Sequence, residues 1–360
     1  MKIAYLCTWE LSSNDGVTKK IVEQVKAWEG INHEVEVFCC CRNLGDSLLK
    51  AKCYKQPNFK SLWSYFSGPE KLISDIKKYN PDFIYLRHEL YKPYLRRLLK
   101  KNQTVVEINA DDVLELKLLS KTSIKSFLRY MYHLRTRNLL FNNVKAIVSV
   151  TRELAERKVF KRFNKPLIIS PNSIMLNDNL KRTKRHGKVY LAFIGSLTQP
   201  WQGLDKVIRL ADILGENYVF HIIGNSNGEK NLENVIYHGY LQKAEYEKVL
   251  KECHIGIGTL AAHRKGLQEA CALKVREYIA YGLPVILGYK DTAFIDETPK
   301  WVLEVPNAED SLENTETIEQ IKEFIKNMKN YTVMNDESRK YIDAYELEKR
   351  KIDEICRLLY

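Results

Sequence analysis

Apolar positions in this chain fall into short runs separated by longer amphipathic stretches. Lys2–Cys7, Val35–Cys40, Phe83–Leu86, Val105–Ile108, Ala146–Val150 and Leu167–Ile169 each read as a strand. Val17–Trp28 and Leu72–Tyr79 have helical spacing between them. Strand, helix and strand in alternation predict βαβ units and a doubly wound parallel sheet. A second series starts at Val189. It contains strands over Val189–Ile194, Val219–Ile223, Val235–Tyr237, Ile255–Leu260 and Pro284–Leu287. Its helices are Leu204–Leu214, Glu245–Glu252 and Cys271–Tyr281. The polar stretch 177–188, with Lys181, Arg182, Lys184, Arg185 and Lys188, separates the series and reads as a linker. The expected organisation is α/β, with doubly wound domains over 1–176 and 189–344. A long terminal helix is expected over 345–360.

Length and composition fit that picture. A chain of 360 residues can bury two cores, and its 45% hydrophobic content is ordinary. No apolar run approaches the ~20 residues that span a bilayer. The opening MKIAYLCTWE reads as a strand rather than a signal peptide. The eight cysteines lack CxxC spacing, so neither zinc nor a disulfide framework is expected, and they suit a reduced, cytoplasmic protein. The net charge of +12 asks for an anionic partner: nucleic acid, an anionic membrane or a phosphorylated substrate. Between Glu115 and Glu153 there is no acidic residue. Lys117, Lys121, Lys125 and Arg129 recur there every four residues, which predicts one basic stripe on a helix. Lys92, Arg96, Arg97, Lys100 and Lys101 precede it. Peripheral attachment to an anionic membrane explains the stripe, and a solvated helix face is the alternative.

The stretch from Cys253 to Gly288 carries the candidate chemistry. A strand leads through a polar loop into the helix predicted from Cys271, with Gly282 placed to end it. Amides at the helix start, around Cys271 and Ala272, form an anion site with the helix dipole. Arg264, Lys265 and Lys274 add positive charge, and Glu269 and Glu277 add carboxylates. A diphosphate bearing several hydroxyls suits that combination. In the first series, Gly16 lets the backbone approach a ligand at a helix start. Arg87, His88, Glu107 and Asn109 lie at the carboxyl ends of strands, where open α/β sheets bind ligands. Asp111 and Asp112 lack D-x-D spacing and read as a helix N-terminus, favoured by the dipole.

Glu269 and Glu277 have E-x7-E spacing, and Glu277–Ile286 reads EYIAYGLPVI. This region resembles the family-4 retaining glycosyltransferases of the GT-B fold. The resemblance implies two Rossmann-like domains facing across a cleft, with the terminal helix returned to the first. It also implies transfer of a hexosyl-type sugar from a nucleotide-sugar to a glycan or lipid-linked acceptor, without a metal or other cofactor. Glu277 then accepts from ribose hydroxyls and Glu269 contacts the donor sugar. Glu107 and Asn109 stand near where many relatives have a histidine, and with Glu269 they are the expected catalytic residues. Relatives also place phosphate-binding cations where this chain has Ser196 and Gln202, so Arg264, Lys265 and Lys274 are expected to supply that charge. A nucleotide-sugar epimerase of the same fold, or a basic nucleic-acid-binding protein, are the alternatives.

Overall fold

The computed structural model describes residues 1–11, 16–41, 49–56, 68–177, 187–195, 199–224 and 232–360. It divides into two compact units, Met1–Ser170 with Leu347–Tyr360, and Pro171–Glu346. The first boundary lies six residues before the expected 176. Most of the expected linker, 178–186, lies outside the described residues.

In the first unit, seven strands form one parallel sheet: β1 (Lys2–Cys7), β2 (Glu34–Cys41), β3 (Ala51–Lys55), β4 (Phe83–Arg87), β5 (Thr104–Ile108), β6 (Ala146–Ser149) and β7 (Leu167–Ile169). Their order is β3-β2-β1-β4-β5-β6-β7. The sequence reading overlooked β3 because AKCYK lies at the sheet edge with a single buried position. Helix α1 (Gly16–Gly30) buries Ile21, Val25 and Trp28 against the sheet. Helix α2 (Glu70–Tyr79) buries Leu72 and Ile76.

The basic stretch is two helices rather than one. Helix α3 (Asp112–Leu119) and helix α4 (Ile124–Phe141) are separated by a turn. Ser120 and Thr122 hydroxyls donate back to the Lys117 and Leu119 carbonyls at 2.7 and 2.8 Å, and Ser123 caps α4 by accepting from Ser126 N–H. Ser and Thr compete for backbone groups in this way and end helices. Lys117 therefore sits on α3, Lys121 in the turn, and Lys125 and Arg129 on α4. The expected stripe on a single helix is corrected accordingly. Asp111 caps α3 from Leu114 N–H at 2.8 Å, as its place in the sequence suggested.

In the second unit, β8 (Val189–Ile194), β9 (Tyr218–Ile223), β10 (Val235–Gly239), β11 (Ile255–Ile257), β13 (Val285–Leu287) and β15 (Val302–Glu304) form a parallel sheet in the order β10-β9-β8-β11-β13-β15. Strands β12 (Glu269–Ala270) and β14 (Lys290–Asp291) pair separately. Helices α5 (Leu204–Leu214), α6 (Lys243–Glu252), α7 (Leu273–Ala280), α8 (Thr315–Met328) and α9 (Asn335–Ile342) surround the sheets. Helix α7 starts two residues later than expected, so Cys271 lies before it. Helix α10 (Ala344–Leu359) follows, and its Ile352 and Ile355 lie in the core of the first unit.

Both sheets reverse their strand order beside their first strand. The switch points are β1/β4 in the first unit and β8/β11 in the second. In open α/β sheets ligands bind at the carboxyl ends of strands at such points. At the second, a Cβ on Gly224 would collide with the Gly195 carbonyl oxygen, and Gly224 has a φ of +131°. Only glycine lets the ends of β8 and β9 approach this closely.

Candidate functional site

Helix α7 places Lys274 and Tyr278 at the carboxyl end of β8. Lys274, in its first turn, lies with Nζ 4.0 Å from the centre of the Phe193 ring. That ammonium is buried and, among the described residues, has no hydrogen-bond partner. Desolvation pulls its pKa down from the usual lysine range to about 7. No side chain caps the start of α7, where Ala272 is the N-cap residue. One helical turn on, Tyr278 Oη accepts from Ile194 N–H at 2.6 Å and ties α7 to the end of β8. Glu277 Oε1 accepts from Tyr246 Oη on α6 at 2.9 Å.

Around Lys274, Gln202 lies against Gly195, and its Oε1 is buried without a partner. Glu269 is half-buried on β12, paired in register with Lys290 of β14. Ser196 lies outside the described residues. The structure thus brings Lys274, Gln202 and the unit's switch point together.

Two other expected donor residues are engaged in holding the fold. Arg264 donates to both Asp205 oxygens, at 2.9 and 2.7 Å, to Glu309, and to the Pro200 carbonyl at 2.8 Å. His263 Nε2 also reaches Glu309 at 2.7 Å. The Arg264 guanidinium thus binds carboxylates of its own domain. Cys271 Sγ accepts from Asn172 N–H at 3.0 Å and from Arg276, whose guanidinium pairs with buried Asp291. The Cys271 side chain therefore has a packing role. Lys265 Nζ stacks on Trp201, 4.2 Å from the ring centre.

The first unit treats its charges differently. Glu107, expected at an open strand end, is buried on β5. Lys20 Nζ lies 2.9 Å from its Oε1, Gln24 donates to the same oxygen at 3.1 Å, and Arg87 lies 3.4 Å from Oε2. Lys20 and Lys351 together with Arg87 hold the Glu107 carboxyl well below the usual range, although burial opposes them. Asn109 accepts from Lys20 at 2.6 Å. Internal cations thus already engage both Glu107 and Asn109.

His88 is likewise interior. Its Nε2 lies 3.6 Å from Asp112, which also binds His133 at 2.6 Å and Arg137 through two 3.0 Å hydrogen bonds. Desolvation takes the His88 pKa down to about 4, so its imidazole is neutral near pH 7. Gly16 is the exposed first residue of α1.

The sequence reading missed Glu89 and Thr8. They follow β4 and β1 at the switch point, and among the described residues Glu89 Oε1 and Thr8 Oγ1 are both buried without a partner. Burial raises the Glu89 carboxyl, against Arg87 and Lys92. Tyr246 and Phe193 were missed as well. The i, i+4 pair Lys20 and Gln24, on the same face as Trp28, was the available signal that α1 carries buried polar contacts.

Two Rossmann-like domains of parallel sheets make this a GT-B fold. Residues 177–334 match the sequence model of the family described as Glycosyl transferases group 1. A search among curated proteins finds no match. Among solved structures, the chain is similar to a lipopolysaccharide outer core galactosyltransferase, WaaB, at 14% identity and TM-score 0.65, covering 99% of this chain and all of that one. It is similar to Anabaena HepE in complex with UDP and glucose, at 13% identity and TM-score 0.64, with the same coverage. A sucrose-phosphate synthase from Thermosynechococcus elongatus gives 12% identity and TM-score 0.70, covering 99% of this chain and 98% of that one. Such identities establish the fold alone. Together with the matched domain they support a glycosyltransferase of the GT-B fold.

Proposed function

We propose that this protein transfers a hexosyl-type sugar from a nucleotide-sugar to a glycan or lipid-linked acceptor, with retention of anomeric configuration. The observation that carries this reading is the buried, unpartnered ammonium of Lys274 beside an uncapped helix start. A buried charge without a partner is costly, and a diphosphate supplies the missing anion. Lys274 and the α7 amides take up the charge that develops on the departing diphosphate, in place of a metal ion. Gln202 hydrogen-bonds a phosphate or sugar oxygen where relatives use a cation. Glu277, oriented by Tyr246, accepts from the ribose hydroxyls, and Glu269 faces the donor sugar. Lys265 on Trp201 borders the same site.

On the acceptor side, Glu89 and Thr8 bind hydroxyls, while Arg87 and His88 act through the buried network that shapes the strand end. The leaving phosphate accepts the acceptor's proton, as same-face attack requires. HepE was solved with UDP, so a uridine donor is the first to test.

The protein works in the cytoplasm, peripherally on the inner face of a membrane, in cell-surface glycan assembly. The eight free cysteines fit a reducing compartment. Among the described residues no helix is long and apolar enough to cross a membrane.

The test is a thermal-shift and titration series with uridine, guanosine and adenosine diphosphates and their sugars. A ligand at a hundred times its dissociation constant stabilises by about 2.7 kcal/mol. Failure of every nucleotide to bind would reject the reading. Conversion of the donor sugar without an acceptor would point to an epimerase instead.

A further inference from the structure

The outer face of α4 is apolar. Ile124, Leu128 and Met131 follow one another at i, i+4 and i+7, and so share one side of the helix, a line that Arg135 closes at i+11. The opposite side is buried, through His133, Arg137, Leu140 and Phe141. Ile124 is 80% exposed and Leu128 61% exposed. Phe127 on α4, and Leu118 and Leu119 at the end of α3, are about half exposed. Scattered exposed apolar residues are ordinary, but five within one helix corner form a patch. Exposed Lys117, Lys121, Lys125 and Arg129 lie among them. Lys125 and Arg129, four residues apart, flank the apolar line on one side.

We infer that the α3–α4 corner inserts into an anionic lipid surface, its apolar side chains entering the acyl boundary and its cations meeting lipid phosphates. Interfacial helices have this arrangement, with an apolar face bordered by lysine and arginine. Nucleic acid fits the cations but leaves the apolar face in water. A protein partner would need matching acidic and apolar surface, whereas an anionic bilayer supplies both chemistries at once. The inference deepens the membrane attachment proposed above and rests on it. It replaces attachment by charge alone with attachment by insertion.

The experiment is co-sedimentation of the full chain with vesicles of phosphatidylcholine, with and without phosphatidylglycerol. Three variants are compared with wild type: Ile124→Ser with Leu128→Ser, Leu128→Glu alone, and Lys117, Lys121, Lys125 and Arg129 all changed to Gln. Wild type should bind the phosphatidylglycerol vesicles and keep part of that binding in high salt, because insertion is not screened. The apolar double variant should lose at least about tenfold in partitioning at every salt concentration. The charge variant should lose binding at low salt and resemble wild type in high salt. Because the altered side chains are exposed, their melting temperatures should stay near that of wild type.

Binding abolished entirely by high salt would overturn insertion. Absence of vesicle binding, with concentration-dependent self-association that Leu128→Glu removes, would assign the face to a second copy of the chain. Salt-sensitive binding to RNA or DNA that the apolar variants leave unchanged would also overturn it. Nucleotide-sugar binding, measured on the same samples, separates failure of this inference from failure of the glycosyltransferase reading.

Discussion

Glu107 and Lys274 are both buried at the carboxyl end of a parallel Rossmann-like sheet, one in each domain. Glu107 is met by Lys20, Gln24 and Arg87 from its own domain. Among the described residues, Lys274 is met by an aromatic ring and by no hydrogen-bond acceptor. Folded proteins pair nearly all their buried polar groups, so an unpaired one marks strain, function or an absent ligand. The same topology therefore yields a satisfied carboxylate at the end of β5 in one domain and an unpaired ammonium beside β8 in the other, while, among the described residues, Glu89 and Thr8 leave unpaired oxygens at the first domain's own switch point. The unpaired ammonium lies in the region matching a glycosyltransferase family. The teaching is that strand-end position alone does not make a site. What matters is whether the chain has already supplied the counter-charge.

Breaking the satisfied network should have the largest effect, and that effect should be on stability. Glu107→Ala leaves Lys20 and Arg87 facing each other in the interior without their carboxylate. Removing one member of a buried ion pair costs about 3–5 kcal/mol. Denaturant unfolding of the variant measures this. The pH dependence has a definite sign. Its cationic neighbours lower the folded pKa of Glu107, so its contribution is fully present above the ordinary carboxylate range, near pH 4.5. It is lost as pH falls through the folded value, because the unfolded chain then binds more protons. The stability advantage of wild type over Glu107→Gln should therefore shrink as pH falls below about 4. An unchanged stability in Glu107→Ala would erase the contrast between the two strand ends.

Lys274→Met should do the opposite, weakening ligand binding while stabilising the free protein. Loss of the ammonium should cost about a hundredfold in affinity for a nucleoside diphosphate, and little for the nucleoside. Burial lowers the lysine pKa to about 7, below its unfolded value. Between those values the unfolded chain binds the extra proton, so the penalty that Lys274 imposes on folding grows as pH falls towards 7. The melting temperature of Lys274→Met should exceed that of wild type at pH 6–7 and converge with it near pH 10.5. Diphosphate binding above pH 7 should take up a proton, visible by calorimetry in buffers of different ionisation enthalpy.

The Glu277 pair sharpens the comparison at smaller scale. Glu277→Ala should cost about tenfold to a hundredfold in nucleotide affinity through lost hydrogen bonds to ribose. Tyr246→Phe removes only the hydroxyl that orients Glu277, and should cost about threefold to tenfold. Deoxyribose nucleotides should narrow both gaps. If the two variants bind like wild type, Glu277 belongs to a structural contact between α6 and α7.

Much of this was legible from the pattern of apolar runs. Strands buried on both faces read as continuous apolar segments, so the doubly wound order and the strand ends followed from spacing. The edge strand β3 has one buried residue and gave no such signal. The stripe from Lys117 to Arg129 had helical spacing, but Ser120, Thr122 and Ser123 break it, since local hydroxyl bonds outcompete continued helix. Lys274 was legible as a cation near a helix start. Its isolation was not, because that depends on Phe193, eighty residues earlier in sequence. The pairing of Glu107 was hidden for the same reason. Its counter-charges come from Lys20 and Arg87, and sequence does not reveal which distant cation meets which acid.

Arg264 offers the smallest and most discriminating test. In sequence it stands beside Lys265, in the same polar loop, as an equal candidate for phosphate. In the structure its guanidinium binds Asp205 on α5 and Glu309, and fastens the loop before β12 to two other segments. Both carboxylates are more than half exposed, so each pair is screened by water and salt. Arg264→Ala should therefore cost only about 1 kcal/mol in stability, less at high salt. Any loss of ligand affinity should arise from loosening of the loop and fall equally on nucleoside and nucleoside diphosphate. Lys274→Met should instead separate those two ligands. If Arg264→Ala also weakens the diphosphate selectively, its guanidinium turns from Asp205 and Glu309 to the phosphates on binding. The division between structural and ligand-facing cations in this domain would then have to be redrawn.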